Sequence, residues 1–250
     1  MSLEYQFGGL WTDIETVSLN PGGIISVGAA SFKGILEAGG KVTITTSPPA
    51  PIFQPVFPPS IGAVVRDGRG NTFYGECRVD EGIKVEDSAL EINGFTKEQV
   101  NNPLTQGLDH LMLDYVTWAY PEPVITLSGE NVGHFDLPGI KVSLEKHGLK
   151  DVFGLKDIFG HRSRDLHTTV LNFHDLNAIP YPMKDKHDDI SLDYALKFLG
   201  METESKPHNA HMGAILEVEG FSRIMRGVGL IEEFKRYPVP EVVAKARVRG

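Results

Sequence analysis

The stretch Trp11-Thr12-Asp13-Ile14-Glu15-Thr16 reads as an extended strand carrying two carboxylates two residues apart. Alternate residues of a strand point to the same face, so Asp13 and Glu15 converge on one spot. Two neighbouring anions there either repel each other or share a divalent cation. The apolar run Ile24-Ile25-Ser26-Val27-Gly28-Ala29 follows after the turn-like Asn20-Pro21-Gly22-Gly23, and the two segments pair as a hairpin whose second strand runs to Phe32. A third strand is expected near Asn71 to Val79.

Between the second and third strands, residues 47–60 are rich in proline and cannot supply a regular ladder, so they read as a surface loop. Helical signals begin at Asp87. Thr96-Lys97-Glu98-Gln99 fits a capping box, and Asn102-Pro103 is expected to open a longer helix through Leu104, Leu108, Leu111, Met112 and Tyr115, ended by Pro121 and Pro123. Val124 to Leu127 reads as a short buried strand. A helix from about Phe135 to His147 follows, stopped by Gly148. Ser191 to Leu199 is a further helix, closed by Gly200. Pro207-His208-Asn209-Ala210 opens a last long helix with Ala214, Val218, Phe221, Met225 and Val228 at helical spacing. Strands first, then a helix, a strand and more helices predict an α/β sheet layered with helices, as one domain over residues 1–235 with a short peripheral tail over 236–250.

Composition narrows the class. With 250 residues, 41% hydrophobic and 23% charged, the chain can bury a full core. No run approaches the roughly 18 apolar residues that span a bilayer, and the N-terminus lacks a signal-peptide layout, so a cytoplasmic protein that does not meet membranes is expected. A net charge of −9 argues against indiscriminate binding to polyanions but leaves room for a nucleic-acid enzyme whose cations set the local charge. The lone Cys77 excludes an internal disulfide and cysteine-cluster metal sites, and reads as a strand residue. The segment 141–187 is rich in histidine and basic residues, without helical ligand spacing, and reads as solvated surface or a substrate rim.

Three pieces join the opening stretch. Asn131-Val132-Gly133-His134-Phe135-Asp136 sets a carboxylate at a helix start just past a buried strand, His208-Asn209-Ala210 heads another helix, and Ile92-Asn93-Gly94-Phe95-Thr96 lies between. In this order and spacing the chain resembles the DnaQ-like, or DEDDh, 3′-to-5′ exonucleases over most of residues 5–230. The resemblance implies an RNase H-like mixed β-sheet flanked by α-helices. It also implies a two-metal phosphodiesterase acting on the 3′ end of single-stranded DNA or RNA, and a homodimer is common in that family. By resemblance, Asp13, Glu15 and Asp136 would hold two Mg²⁺ or Mn²⁺ ions and His208 would take a proton from the attacking water. Thr16, Val17 and Leu19 would meet the terminal nucleotide, with Asn131 and Phe135 lining the same pocket. Taken singly, each of these residues has an ordinary reading, as a solvated strand face, a helix cap or a satisfied histidine.

The pattern departs at one place. The family carries an aspartate five residues after the histidine, and here Gly213 stands there. The chain is then a weakened or inactive relative that still binds nucleic acid, a variant of an active enzyme, or an enzyme that recruits another carboxylate. Glu217, one helical turn further on the same face, is the best substitute, whereas Glu219 points elsewhere. A glycine within a helix costs about 1 kcal/mol relative to alanine, so Gly213 brings no gain in stability by propensity.

Overall fold

The structure is a computed structural model that describes residues 5–18, 23–36, 42–46, 65–66, 72–120, 126–154 and 157–246. The proline-rich loop 47–60, Leu19 and the turn at 20–22 lie outside the described residues.

Strands β1 (Tyr5–Thr16) and β2 (Ile24–Leu36) form the expected antiparallel hairpin, with Asp13 opposite Gly28. They are the centre of a seven-stranded mixed sheet. On the β2 side lie β3 (Val42–Thr46), β4 (Val65–Arg66) and β5 (Thr72–Glu76), all antiparallel to their neighbours. On the β1 side lie β6 (Leu127–Gly129) and β7 (Arg164–Asp165), both parallel. The pairing therefore changes sense at β1, and Asp13 and Glu15 lie at the carboxyl end of this strand.

The sheet's alternation sorts its residues between two helical layers. Leu10 and Ile14 face α3 (Leu108–Ala119) and α4 (Asp136–Lys146), and Thr12 bonds the Tyr115 hydroxyl at 2.6 Å on the same side. Trp11 faces α7 (Ala210–Arg226), so Asp13 and Glu15 share the α7 side by period two. Helices α5 (Leu166–Leu176) and α6 (Leu192–Phe198) pack outside α7 through Leu166, Val170, Ala195, Leu199 and Ile224. The short helices α1 (Asp87–Asn93) and α2 (Lys97–Val100) cap the end of the β1–β2 hairpin, where Val17, Ile25, Leu90 and Val100 form their own cluster.

Several boundaries follow the sequence closely. Thr96 and Gln99 form the reciprocal capping box, α4 ends at Lys146, two residues before Gly148 at φ +70°, and Ser191 caps α6. Three expectations are corrected. The helix expected from Pro103 begins at Leu108, because the Asn102 side chain accepts the Leu104 amide at 3.0 Å and closes a local turn that leaves Leu104 exposed. The α7 face expected to include Met225 and Val228 does not. Gly227, at φ +70°, ends the helix before Val228, and both side chains are exposed. The segment expected to be a peripheral tail forms α8 (Glu241–Ala246), whose Val243 is fully buried.

One buried ion pair fixes the far end of α7. Arg223 Nε donates to Glu219 Oε1 at 2.7 Å, its other nitrogens donate to the carbonyls of Leu199 and Phe234, and Glu219 Oε2 accepts the amides of Leu230 and Ile231. Glu219 thus points away from Asp13, as expected from its place on the helix.

Candidate metal centre

The approach of α7 to the sheet is set by two missing side chains. A Cβ added to Gly28, the partner of Asp13 across the hairpin, would lie 2.1 Å from the Ala210 backbone. A Cβ on Gly213 would lie 2.0 Å from Asp13 Oδ2 and 2.9 Å from its Cγ. Both residues therefore serve as points of close contact, and the first turn of α7 sits directly over the Asp13–Gly28 pair. Gly213, which propensity disfavours, is required by clearance: the Asp13 carboxylate occupies the space where a side chain at 213 would begin.

The segment Ile92-Asn93-Gly94 joins the first and third motifs. Asn93 Nδ2 donates to the Thr16 carbonyl at 3.1 Å, the Ile92 carbonyl accepts the His208 amide at 2.9 Å, and Pro207 packs against Gly94. Gly94 holds φ +70° as the C-terminal stop of α1, a conformation glycine adopts without strain.

Four carboxylates gather around Asp13, making a group of five. Asp136, first residue of α4, accepts the backbone amide of Ile14, the residue between Asp13 and Glu15, at 3.1 Å. Glu217 accepts the Glu130 amide through Oε1 at 3.0 Å, while its buried Oε2 has no hydrogen-bond partner. Glu204, in the link before α7, accepts the Asn209 amide at 3.3 Å and lies 3.6 Å from His208 Nδ1. Asp136 and Glu217 are 3% exposed and Glu15 is 9% exposed, whereas the His208 side chain is 35% exposed.

This packing pushes every acid upward. Asp13 is held well above the usual carboxylate range by burial and then by the charges of Glu15, Glu217, Asp136 and Glu204. Glu15 is pushed up to about 8 by burial, then by Glu204 and Asp136. Burial likewise raises Asp136, which the Ile14 amide partly offsets, and Glu217, which Asp136 raises further. Glu204 is raised by burial and lowered by His208. Among the described residues, His208 is the cation-forming side chain that pairs with any of the five. Buried anions without balancing cations are costly. An oxygen donor set of this kind, with one oxygen lacking any partner, fits hard divalent cations.

Each expected residue but Leu19 has a definite place. Asp13, Glu15, Asp136 and Glu217 come together, with His208 at the solvent side. Thr16 is half-buried and held through its carbonyl, while Asn131, at φ +56°, and Phe135 are exposed at the head of α4. Val17 is corrected: its side chain is fully buried in the α1–α2 cluster and its backbone bonds Gly23 and Glu86, so it is a core residue. Leu19 is outside the described residues. Of the histidines of 141–187, His147 is tied to Asp80, His167 to Asp188 and, at 3.7 Å, to Glu130, and His174 to Ile179 within the core. Sequence reading missed Glu204, which sits in an irregular link that no motif covers. It also missed Glu130, beside Glu217 and pushed up to about 7 by burial, with His167 opposing.

No protein-family model and no curated protein matches the sequence. The fold does match solved structures. E. coli exonuclease I in complex with a 5cy-dT13 oligonucleotide aligns over 88% of this chain and 41% of its own length, at 14% identity and TM-score 0.57. Product-bound exonuclease I aligns over 89% and 44%, at 14% identity and TM-score 0.55. The zinc-bound E. coli exonuclease I–single-stranded DNA complex aligns over 86% and 40%, at 15% identity and TM-score 0.55. The chain spans about four tenths of the length of these proteins. The switch in pairing at β1, the helical layers on both faces and this similarity together give an RNase H-like α/β fold of the exonuclease I type.

Proposed function

We propose that the chain is a divalent-metal-dependent 3′-to-5′ exonuclease acting on single-stranded nucleic acid. The observation that carries this reading is the group of buried carboxylates around Asp13, ending in the unpartnered Oε2 of Glu217. Asp13, Glu15 and Asp136 hold Mg²⁺ or Mn²⁺ in it, and Glu217 supplies the carboxylate that Gly213 lacks. Bound divalent cations supply Lewis acidity at the phosphoryl oxygens and lower the pKa of the attacking water. His208, the most exposed member of the group, takes the proton from that water, and Glu204 stabilises the resulting imidazolium. Thr16, Asn131 and Phe135 frame the terminal nucleotide. Neighbouring folds solved with dT13 and dA16 oligonucleotides support a single strand as substrate.

The test is release of mononucleotides from 3′-labelled DNA and RNA oligonucleotides with Mn²⁺ or Mg²⁺. Turnover that Asp13→Ala abolishes is expected, and no release with either ion overturns the reading. Gly213 favours a second reading, a non-catalytic module that binds single strands on the same fold. Strand binding that weakens with salt, without turnover, distinguishes it.

A further inference from the structure

Glu15, Glu204 and His208 each present a ligand atom, and these atoms lie within 4.8 Å of one another. His208 Nδ1 and Glu204 Oε2 are already 3.6 Å apart, close to the roughly 3.4 Å between ligands of a tetrahedral ion bound at about 2.1 Å. The trio differs in kind from the rest of the group. Asp13, Asp136 and Glu217 offer oxygen alone, whereas here an imidazole joins two carboxylates at the solvent-facing side. Glu204 is held for this role by the Asn209 amide, and Asn209 itself is fixed as the N-cap of α7 by accepting the Met212 amide at 3.1 Å. The neighbouring Glu217 supplies a separate sign that the group is built for cations: it is 3% exposed, one of its oxygens has no partner, and Glu204 is among the charges acting on it.

We propose that Glu15, Glu204 and His208 form a mixed carboxylate–imidazole site for a borderline transition cation such as Zn²⁺, and that its occupation switches the exonuclease off. The choice of ion follows from ligand softness: imidazole suits zinc, copper and nickel, whereas Mg²⁺ keeps to oxygen. The switch follows from the imidazole itself. A neutral ring has one nitrogen with a free lone pair and one N–H. A cation on the free lone pair leaves no acceptor for the proton of an attacking water. Mg²⁺ leaves His208 free to act as base, and Zn²⁺ removes it. Three protein ligands with an open position match the arrangement of accessible zinc sites.

The inhibitory half rests on the exonuclease reading, and the binding half does not. The metal-free full chain is titrated with Zn²⁺ by calorimetry, and zinc X-ray absorption reports the ligands. Expected are imidazole scattering on the bound zinc and binding weakened at least tenfold in both Glu204→Gln and His208→Ala, with circular dichroism confirming that the variants fold. Zinc bound without imidazole scattering, or bound equally well by Glu204→Gln, overturns the site. In parallel, Zn²⁺ is titrated into a Mg²⁺-supported assay on a labelled single strand. Turnover should fall as the site fills, and Glu204→Gln should shift the inhibition to higher Zn²⁺. Full turnover with the imidazole site filled overturns the switch. Absence of turnover with both Mg²⁺ and Mn²⁺ beside an intact zinc–imidazole signal overturns the exonuclease reading and leaves the metal site standing.

Discussion

Gly213 and Asp13 meet across the interface of α7 and β1, where a single added carbon on Gly213 would lie 2.0 Å from the Asp13 carboxylate. The aspartate that the exonuclease pattern carries at this position has no room here while Asp13 keeps its place. Gly213→Asp is therefore expected to lower metal affinity and metal-supported turnover, by roughly ten- to a hundredfold, the range for losing a residue that orients a ligand. Gly213→Ala should do the same more mildly. Calorimetric titration with Mn²⁺ checks both, and tighter binding in Gly213→Asp would show that Asp13 moves freely.

In the proposed metal site Glu217 supplies the fourth carboxylate. Glu217→Gln retains an acceptor for the Glu130 amide, so the fold should hold. Metal affinity should drop about tenfold or more. Thermal unfolding without metal should rise or stay level at pH 8, since the substitution removes a buried, unbalanced anion. A melting temperature lowered in the metal-free state would mean that Glu217 has a structural partner instead.

The metal-free protein should lose stability as pH rises. Glu15 is pushed from 4.5 up to about 8, so the folded chain binds this proton more tightly than the unfolded chain. That contribution is complete below about pH 4.5 and is lost as pH climbs through about 8. Tm should fall across this window in chelator and flatten when Mn²⁺ is added. Because the cation displaces the proton, Mn²⁺ binding at pH 7 should release protons, visible as a calorimetric heat that changes with the buffer's ionisation enthalpy. A buffer-independent heat would contradict this.

Arg223→Ala should destabilise the chain by about 3–5 kcal/mol, because it leaves Glu219 charged and fully buried. Denaturant unfolding measures the loss. A much smaller loss would mean that water reaches Glu219 in the variant.

Much of this architecture is legible in the chain itself, and the gaps have physical reasons. The alternation at Trp11 to Thr16, the capping box at Thr96 and the stops at Gly148 and Gly200 are local signals, and each appears where it was expected. The β-branched run Val42-Thr43-Ile44-Thr45-Thr46 was an available strand signal that went unread beside the proline-rich segment. β7 has two residues and exists only through its pairing with β6, so no local pattern announces it. At the proposed site, Asp136 came from the family resemblance, and the pairing of Asp13 with Glu15 and the place of Glu217 one turn beyond Gly213 were readable from strand and helix spacing. Glu204 was not, because an irregular link brings it to His208. The role of Gly213 was hidden as well, since helix propensity describes a glycine's own backbone and says nothing of the carboxylate above it.

The three residues Ile92, Asn93 and Gly94 give the site a property that neither sheet nor helix supplies alone. They grip the Thr16 carbonyl on one side and the His208–Pro207 segment on the other. The end of β1 and the residues that lead into α7 are thereby tied together through a few atoms of one helix end. The spacing between Thr16 and His208 is set within this one short segment, so a change at Asn93 is expected to alter KM and kcat together in the proposed exonuclease reaction, with the carboxylates left in place.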